Sequence, residues 1–356
     1  MKVVVLKPKI NSKFHFGTGS LESTSYFLHS NTIFSTIINN YVKLYVSNDL
    51  DIEKIKNIRL SSLYPKIEDI FLIPKPEHPY FYILDNKHIM EGIKPKDVKK
   101  ISYFSIGFYK ELLNNEKDEN YWHNNLKEIL ENKYGNIILT DKEIDKIRNM
   151  INKESLFGKE IEHKIAMDRI KNITLELEKG QLYSVEFFKP NNNVEFYFLI
   201  DYNGLDKDTT KKIDASIKLI EDEGLGGERT SGAGFFETVE IEDIPNNLKE
   251  IFDKNEDCEY KMLLGVGIPK EEDIKNIEYY KLLELGGYIY SSTYFKYLTK
   301  RKKTILALSE GSIVKNNFVG NVVDTTPNIK EKSHSVYTHG KPILLPTKRW
   351  NDDFKS

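Results

Sequence analysis

Gly224-Leu-Gly-Gly-Glu-Arg-Thr-Ser-Gly-Ala-Gly-Phe-Phe236 decides how the chain is to be read. Five of these thirteen residues are glycine, with Arg229, Thr230 and Ser231 at the centre. A helical run, Asp206 to Glu223, precedes the stretch, and the alternation Phe236-Glu-Thr-Val-Glu-Ile-Glu follows it as a strand. Nucleotide-binding loops run from strand into helix, so that phosphate meets a helix N-terminus. Here the loop leaves a helix C-terminus, whose dipole repels anions. Gly227 and Gly232 have the Walker spacing, but Ala233 stands where the lysine belongs. Arg229 likewise occupies the third glycine position of a dinucleotide fingerprint. ATP, GTP and NAD lose support, and no cofactor is expected. What remains is a backbone free to adopt positive φ, with amides available as an anion nest and a forked guanidinium among them. Gly224, Gly226, Gly227, Arg229, Thr230, Ser231, Gly232 and Gly234 are therefore candidate contacts to an RNA backbone.

The flanking pattern sets the fold class. Lys2–Lys7 reads as a strand, and Phe14-His-Phe-Gly-Thr-Gly as a second glycine-bearing loop. Ser30 or Asn31 is a plausible N-cap for a helix carrying Ile33, Phe34, Ile37, Ile38, Tyr41, Leu44 and Tyr45. Ser61-Ser-Leu-Tyr-Pro and Phe71-Leu-Ile-Pro-Lys-Pro are proline-bounded extended pieces. From Lys99 to about Lys179 the chain becomes charged and asparagine-rich, with helices expected at 120–133 and 141–152. This reads as an insertion, closed by the basic stretch His163-Lys-Ile-Ala-Met-Asp-Arg-Ile-Lys-Asn. Strands at 182–188 and 194–202 follow, joined by the turn Lys189-Pro-Asn-Asn-Asn. Without the insertion, the first 245 residues read β-α-β-β-α-β, the ferredoxin-like order. After a polar linker, 258–356 restarts with a strand at 260–268, a helical piece at 270–278 and strands at 280–285, 303–308 and 341–345. The expectation is an α+β chain of two tandem ferredoxin-like (RRM-like) domains, 1–245 and 258–356, with a helical thumb insertion at about 99–179.

Composition narrows the function. The 356 residues carry 52 basic and 54 acidic side chains, a net charge of −2, so any RNA binding must rest on local patches. Arginine occurs six times, which makes Arg229 and Arg169 notable. One cysteine, Cys258, excludes an intrachain disulfide and a cysteine zinc cluster, as in a reducing cytoplasm. No apolar run approaches the ~20 residues of a membrane span. Basic candidates are Lys164, Asp168-Arg169 and Lys171 in the arm that closes the insertion, and Lys300, Arg301 and Lys302 between two strands of the second unit. The 40 Tyr and Phe residues supply stacking platforms, most of them core. His15 and His29, beside glycine loop and helix, could serve a metal-independent ribonuclease as general base, but no acid–base partner lies at a defined spacing. The alternative reading for both is structural or RNA-contacting histidine. His88-Ile-Met-Glu91 offers two metal ligands and nothing to complete a site. His334 and His339 read as loop residues, and Asp352-Asp353 as a solvated tail.

Five pieces in this order resemble a known family: His29-Ser-Asn-Thr-Ile-Phe-Ser; Ser61-Ser-Leu-Tyr-Pro with Phe71-Leu-Ile-Pro-Lys-Pro; Ala166-Met-Asp-Arg-Ile-Lys-Asn; Gly224–Gly234; and Val336-Tyr-Thr-His-Gly-Lys-Pro-Ile-Leu-Leu-Pro. The pattern is similar to that of the fourth Csm subunit of type III-A CRISPR effector complexes, in the RAMP superfamily. The resemblance implies a non-catalytic subunit that holds the 5′ tag of a guide RNA between a large multidomain signalling subunit and a repeating backbone subunit. It implies that the glycine loop with Arg229 cradles RNA, and that the insertion with Asp168-Arg169 is a thumb at the tag–spacer boundary. Two departures stand out: Asn31 where the family often has aspartate, and a lysine-rich insertion.

Overall fold

The computed structural model describes residues 1–45, 49–84, 86–114, 121–151, 153, 155–165, 167–168, 173–174, 182–253, 258–290, 300–328 and 334–350. Its class is mixed α+β, built on β1 (Lys2–Pro8), α1 (Ser30–Leu44), β2 (Tyr64–Ile67) and β3 (Ile70–Pro74). Next come β4 (Phe157–Ile165), β5 (Leu182–Pro190), β6 (Val194–Asp201), α2 (Lys207–Lys218) and β7 (Phe236–Asp243). The main sheet carries the order β7-β1-β6-β2-β3, all antiparallel, and continues beyond β3 through Tyr103–Ser105 to Ile137–Ile138, the last pair parallel. Val3 and Val4, adjacent in β1, are both fully buried, so the centre of this sheet is covered on both faces. Ile33, Phe34 and Ile37 of α1 and Ile213 and Ile217 of α2 join the same core. Asp206 caps α2 by accepting the Thr209 amide at 2.9 Å. That bond, with the Thr209 hydroxyl, lowers the Asp206 pKa to about 2.

Three local expectations change. The α1 N-cap is His29, with no side-chain capping bond; Ser30 is already helical. The 182–190 strand does not pair with 194–201 across its turn. It peels away to pair with β4, so the basic stretch from His163 begins as a strand. The expected helices at 120–133 and 141–152 are shorter: Tyr121–Asn124, Leu126–Asn132 and Asp141–Ile147.

The second unit comprises β8 (Tyr260–Leu263), a 3₁₀ turn Glu271–Asn276, β9 (Ile277–Tyr279), β10 (Leu282–Leu285), β11 (Ile305–Leu308), β12 (Ile313–Lys315), β13 (Asn321–Asp324), β14 (Tyr337–Gly340) and β15 (Leu344–Thr347). Its sheet runs β9-β12-β8-β15, all antiparallel. With β3 left out, the strands β7-β1-β6-β2 number 4-1-3-2 in chain order, and β15-β8-β12-β9 of the second unit number the same. Where the first unit has helices, the second has the 3₁₀ turn and the β13–β14 hairpin. The helix expected at 270–278 is thus a six-residue 3₁₀ turn. Asp273 fastens that turn: its carboxylate accepts the amides of Lys270, Val319 and Gly320 at 2.8–3.0 Å.

The units are joined by backbone. Ser62 N–H donates to Leu264 O at 2.7 Å, Leu60 and Ile343 exchange bonds with the opposite segment, and Ser30 Oγ accepts the Val266 amide at 2.9 Å. A Cβ on Gly265 would collide with the Leu60 carbonyl, so glycine lets the two chains touch. His339, expected in a loop, is fully buried, stacks on Phe34 at 4.5 Å and donates Nε2–H to Ile58 O at 2.9 Å. Burial pushes its pKa down to about 3, so the ring is neutral. Three of the five family-like pieces therefore meet at this seam.

Candidate nucleic-acid interface

The glycine loop is a pinned structure with a narrow exposed tip. Gly224, Gly226, Gly232 and Gly234 have φ of 74°, 90°, 85° and 82°, and Glu228 is left-handed at 58°. A Cβ on Gly224 would stand 2.7 Å from Gly234 O, and one on Gly226 would stand 2.6 Å from His15 O. One on Gly234 would collide with Leu225 O. The expected nest of free amides is largely spent. The N–H groups of Gly224, Leu225, Gly227, Ser231, Gly232, Ala233 and Gly234 all go to protein carbonyls. At the tip, Thr230, Ser231 and Gly232 are exposed, and among the described residues the Arg229 and Thr230 amides have no partner.

The floor beneath is aromatic. Phe14, Phe16, Phe188, Phe196 and Phe236 interlock with centroids 5.1–6.5 Å apart, each pair worth about 0.5–1.5 kcal/mol beyond burial. His15 belongs to this floor. It is 4% exposed, its Nδ1 donates to Glu186 O at 2.8 Å, and its carbonyl accepts the Gly227 amide. Ala233, in the would-be Walker lysine position, is fully buried against Val185 and Phe187 of β5.

Two flanks rise from this floor. On the β4–β5 side, Lys164 Nζ lies 5.2 Å over Phe187 and pairs with Glu228 at 2.7 Å. Lys13 lies 4.4 Å over the same ring and pairs with Glu162. Burial opposes ionisation of Glu228, but Lys164, Ser231 and His15 together outweigh it and the pKa is lowered. The other flank brings together residues far apart in the chain. The Arg229 guanidinium carbon lies 5.1 Å over Tyr290, and Lys43 approaches the same ring at 5.9 Å. Arg229 also donates to the helix-terminal carbonyl of Glu223 at 3.2 Å, and Lys43 pairs with the Glu223 carboxylate at 2.6 Å. Tyr288 bridges to Arg301, whose guanidinium lies 5.2 Å over the Tyr288 ring. Lys300 and Arg301 are exposed and have no ion pair among the described residues, whereas Lys302 is partly buried on Thr338 Oγ1.

The arrangement offers one exposed turn between two cation-on-ring surfaces, with the cations nearest the turn already matched by carboxylates. Tyr288, Tyr290, Lys43, Lys13 and Phe187 were not singled out in the sequence. The alternation Tyr288-Ile-Tyr290 ahead of the basic run was the available signal. Ser30 and Asn31 are not part of this surface: both are buried in the seam, where Ser30 is bonded on both sides. Asp168 lies in a short strand, Met167–Asp168, and Arg169 falls outside the described residues, as do Lys171 and Asp352-Asp353.

The two histidines offered as alternative general bases sit in different surroundings, His15 in the aromatic floor and His29 on a carboxylate. His29 Nδ1 meets Glu310 Oε1 at 2.9 Å, and Ser62 Oγ donates to the same oxygen. This carboxylate partner lies 281 residues away in sequence. His88 Nε2 donates to His123 O at 2.6 Å.

Residues 10–237 match the model of the RAMP superfamily, and residues 256–347 match that of the CRISPR Csm4 C-terminal domain. The CRISPR system Cms protein Csm4 of Methanocaldococcus jannaschii is 57% identical, with 100% of both chains covered. Its counterpart in Streptococcus thermophilus is 23% identical over 93% of this chain and 94% of that one. The chain belongs to the Csm4 family. Among solved structures, that of a Csm3–Csm4 subcomplex of the type III-A CRISPR-Cas interference complex matches with a TM-score of 0.74 and 54% identity, covering 98% of this chain and 100% of that one. A Csm1–Csm4 cassette with pppApA matches in fold, with a TM-score of 0.53 at 17% identity over 98% and 97% of the two chains. No helix among the described residues is long and apolar enough to cross a membrane.

Proposed function

We propose that this chain is the non-catalytic subunit that anchors the 5′ tag of the guide RNA in a type III-A Csm ribonucleoprotein. In this reading it bridges the large signalling subunit and the backbone subunits in antiviral defence in the cytoplasm. The near relative seen with Csm3 supports the assembly. The observation that carries RNA binding is the exposed tip Thr230–Gly232, with the half-buried Arg229 beside it, set between the Tyr290 and Phe187 flanks. A single strand would pass its phosphates over the tip and Arg229 and lay bases on Tyr288 or Tyr290. The shared 4-1-3-2 strand order supports a tandem ferredoxin-like division at 1–245 and 258–356, the second unit having lost its helices.

Arg229→Ala is expected to weaken tag-RNA binding by about tenfold or more, in line with loss of one charge-assisted contact. It should reduce the slope of log K against log salt by about 0.7. Fluorescence anisotropy across a salt series reads both, and wild-type behaviour throughout would remove Arg229 from the interface.

The alternative is a metal-independent guide-processing endoribonuclease using His15 or His29. Its support is weakened by where these rings sit, one in the floor and one on Glu310. Purified protein incubated with repeat RNA and chelator is expected to leave it intact. Discrete cleavage abolished by His15→Ala or His29→Ala would establish the alternative.

A further inference from the structure

Where the two units meet, and lined by no residue of the glycine loop, lies an open cleft of about 500 Å³. Its walls are Glu77, Tyr82 and Ile83 from the segment around the 3₁₀ turn Pro79–Phe81, and Glu278, Tyr279 and Tyr280 from the end of β9. The walls are fixed rather than loose. The His78 ring meets Tyr279 edge-on at 4.1 Å, and the Glu77 amide donates to Gly311 O at 2.8 Å. Tyr280 and Ile83 form an apolar rim, 56% and 41% exposed.

The chemistry of this cleft selects its occupant. Both charged residues that line it are carboxylates, and no lysine or arginine lines it. Glu278 has a partner outside, Lys315 at 3.2 Å. Lys75 lies beneath, 4% exposed, with Nζ 3.6 Å from the Tyr82 ring centroid and donating to Val98 O. Lys75 thus covers one face of the Tyr82 ring from inside, beside the Glu77 carboxylate that bonds the Tyr82 hydroxyl, and burial lowers the Lys75 pKa to about 8. Carboxylates repel phosphate, so this is not a second RNA groove. Tyrosine faces beside carboxylates attract a cationic side chain, whose stem the apolar rim can cover. Tyrosine and arginine are both enriched among the residues that carry most of the binding energy at protein interfaces.

We propose that this cleft is a docking site for an arginine- or lysine-bearing segment of a partner subunit. The proposal rests on the assembly reading above and deepens it by assigning one protein contact. The test uses the chain co-expressed with the large and backbone subunits of its own complex, with a benzophenone amino acid in place of Tyr280 or Ile83. Irradiation is expected to give a cross-link to one partner subunit within a few residues of an arginine or lysine, located by mass spectrometry. Glu77→Lys with Glu278→Lys should weaken retention of that subunit about tenfold at low salt, with thermal melting as the folding control. Tyr280→Ala, at an exposed position, should weaken it without altering the melt. Cross-links to guide RNA, or to a partner segment without a cation, would overturn the proposal. So would wild-type retention in both variants while the complex still assembles. A wild-type chain that assembles with neither subunit would remove the assembly reading and this contact with it.

Discussion

Gly234→Ala is expected to damage the glycine loop far more than Gly232→Ala, although both residues have φ above 80°. Left-handed backbone costs an alanine about 1–2 kcal/mol at either position. At Gly232 that is the whole cost, because nothing lies within 4 Å of an added Cβ. At Gly234 the Cβ also collides with Leu225 O, a backbone atom that cannot swing aside. The Leu225 N–H to Gly234 O bond and the Gly234 N–H to Lys13 O bond must both loosen. The total is about 3 kcal/mol or more. Thermal unfolding should drop by several degrees for Gly234→Ala and by a third to two thirds as much for Gly232→Ala, roughly in proportion to these costs. Tag-RNA affinity should fall more than tenfold in the first and little in the second. Equal effects in the two variants would mean that the loop is not pinned at its base.

The second large effect concerns the seam. Glu310 is buried, and its carboxylate gathers His29 and Ser62, while Ser62 Oγ also accepts the Ser30 amide. Burial works against the charge on each group, yet the pair overcomes it: the His29 pKa is raised and the Glu310 pKa is lowered. Removing one partner of such a buried pair leaves the other unmatched. Glu310→Ala is expected to destabilise by about 3 kcal/mol, the lower part of the usual range because the His29 side chain is 32% exposed. Its pH dependence has a definite sign. The Glu310 contribution is complete above the ordinary glutamate pKa of 4.5 and is lost as pH falls through its lowered value. The His29 contribution is complete below the ordinary histidine pKa of 6.5 and is lost as pH rises through its raised value. The stability gap between wild type and Glu310→Gln should therefore be widest between about pH 4.5 and 6.5 and narrow on both sides. Urea denaturation across pH measures it, and a gap that does not vary with pH would show that the pair is not ionised.

These effects divide what is local from what is not. The element order of the first unit was readable because each element is long enough to show its own period: Ile33, Phe34, Ile37 and Tyr41 on α1, Val239 and Ile241 on β7. The second unit was read less well. Its strands are three or four residues long, and a 3₁₀ turn replaces a helix, so the pattern ends before a period can be seen. The 182–190 strand misled for another reason: a turn sequence fixes a change of direction, not which strand becomes the neighbour.

The amino-acid sequence by itself determined the glycine loop between helix and strand, the absence of a nucleotide-binding motif, and the resemblance that the family matches bear out. Backbone freedom at glycine and hydrophobic period are properties of neighbouring residues, so a linear text carries them. Only the tertiary structure decided which of those residues face outward. It spent most of the loop amides internally, turned Ser30, Asn31 and His339 into the seam, gave His29 its distant carboxylate, and set Tyr290 over Arg229. Hydrogen bonds and ion pairs depend on separation in space, and two units folding against each other bring together groups that no spacing along the chain relates.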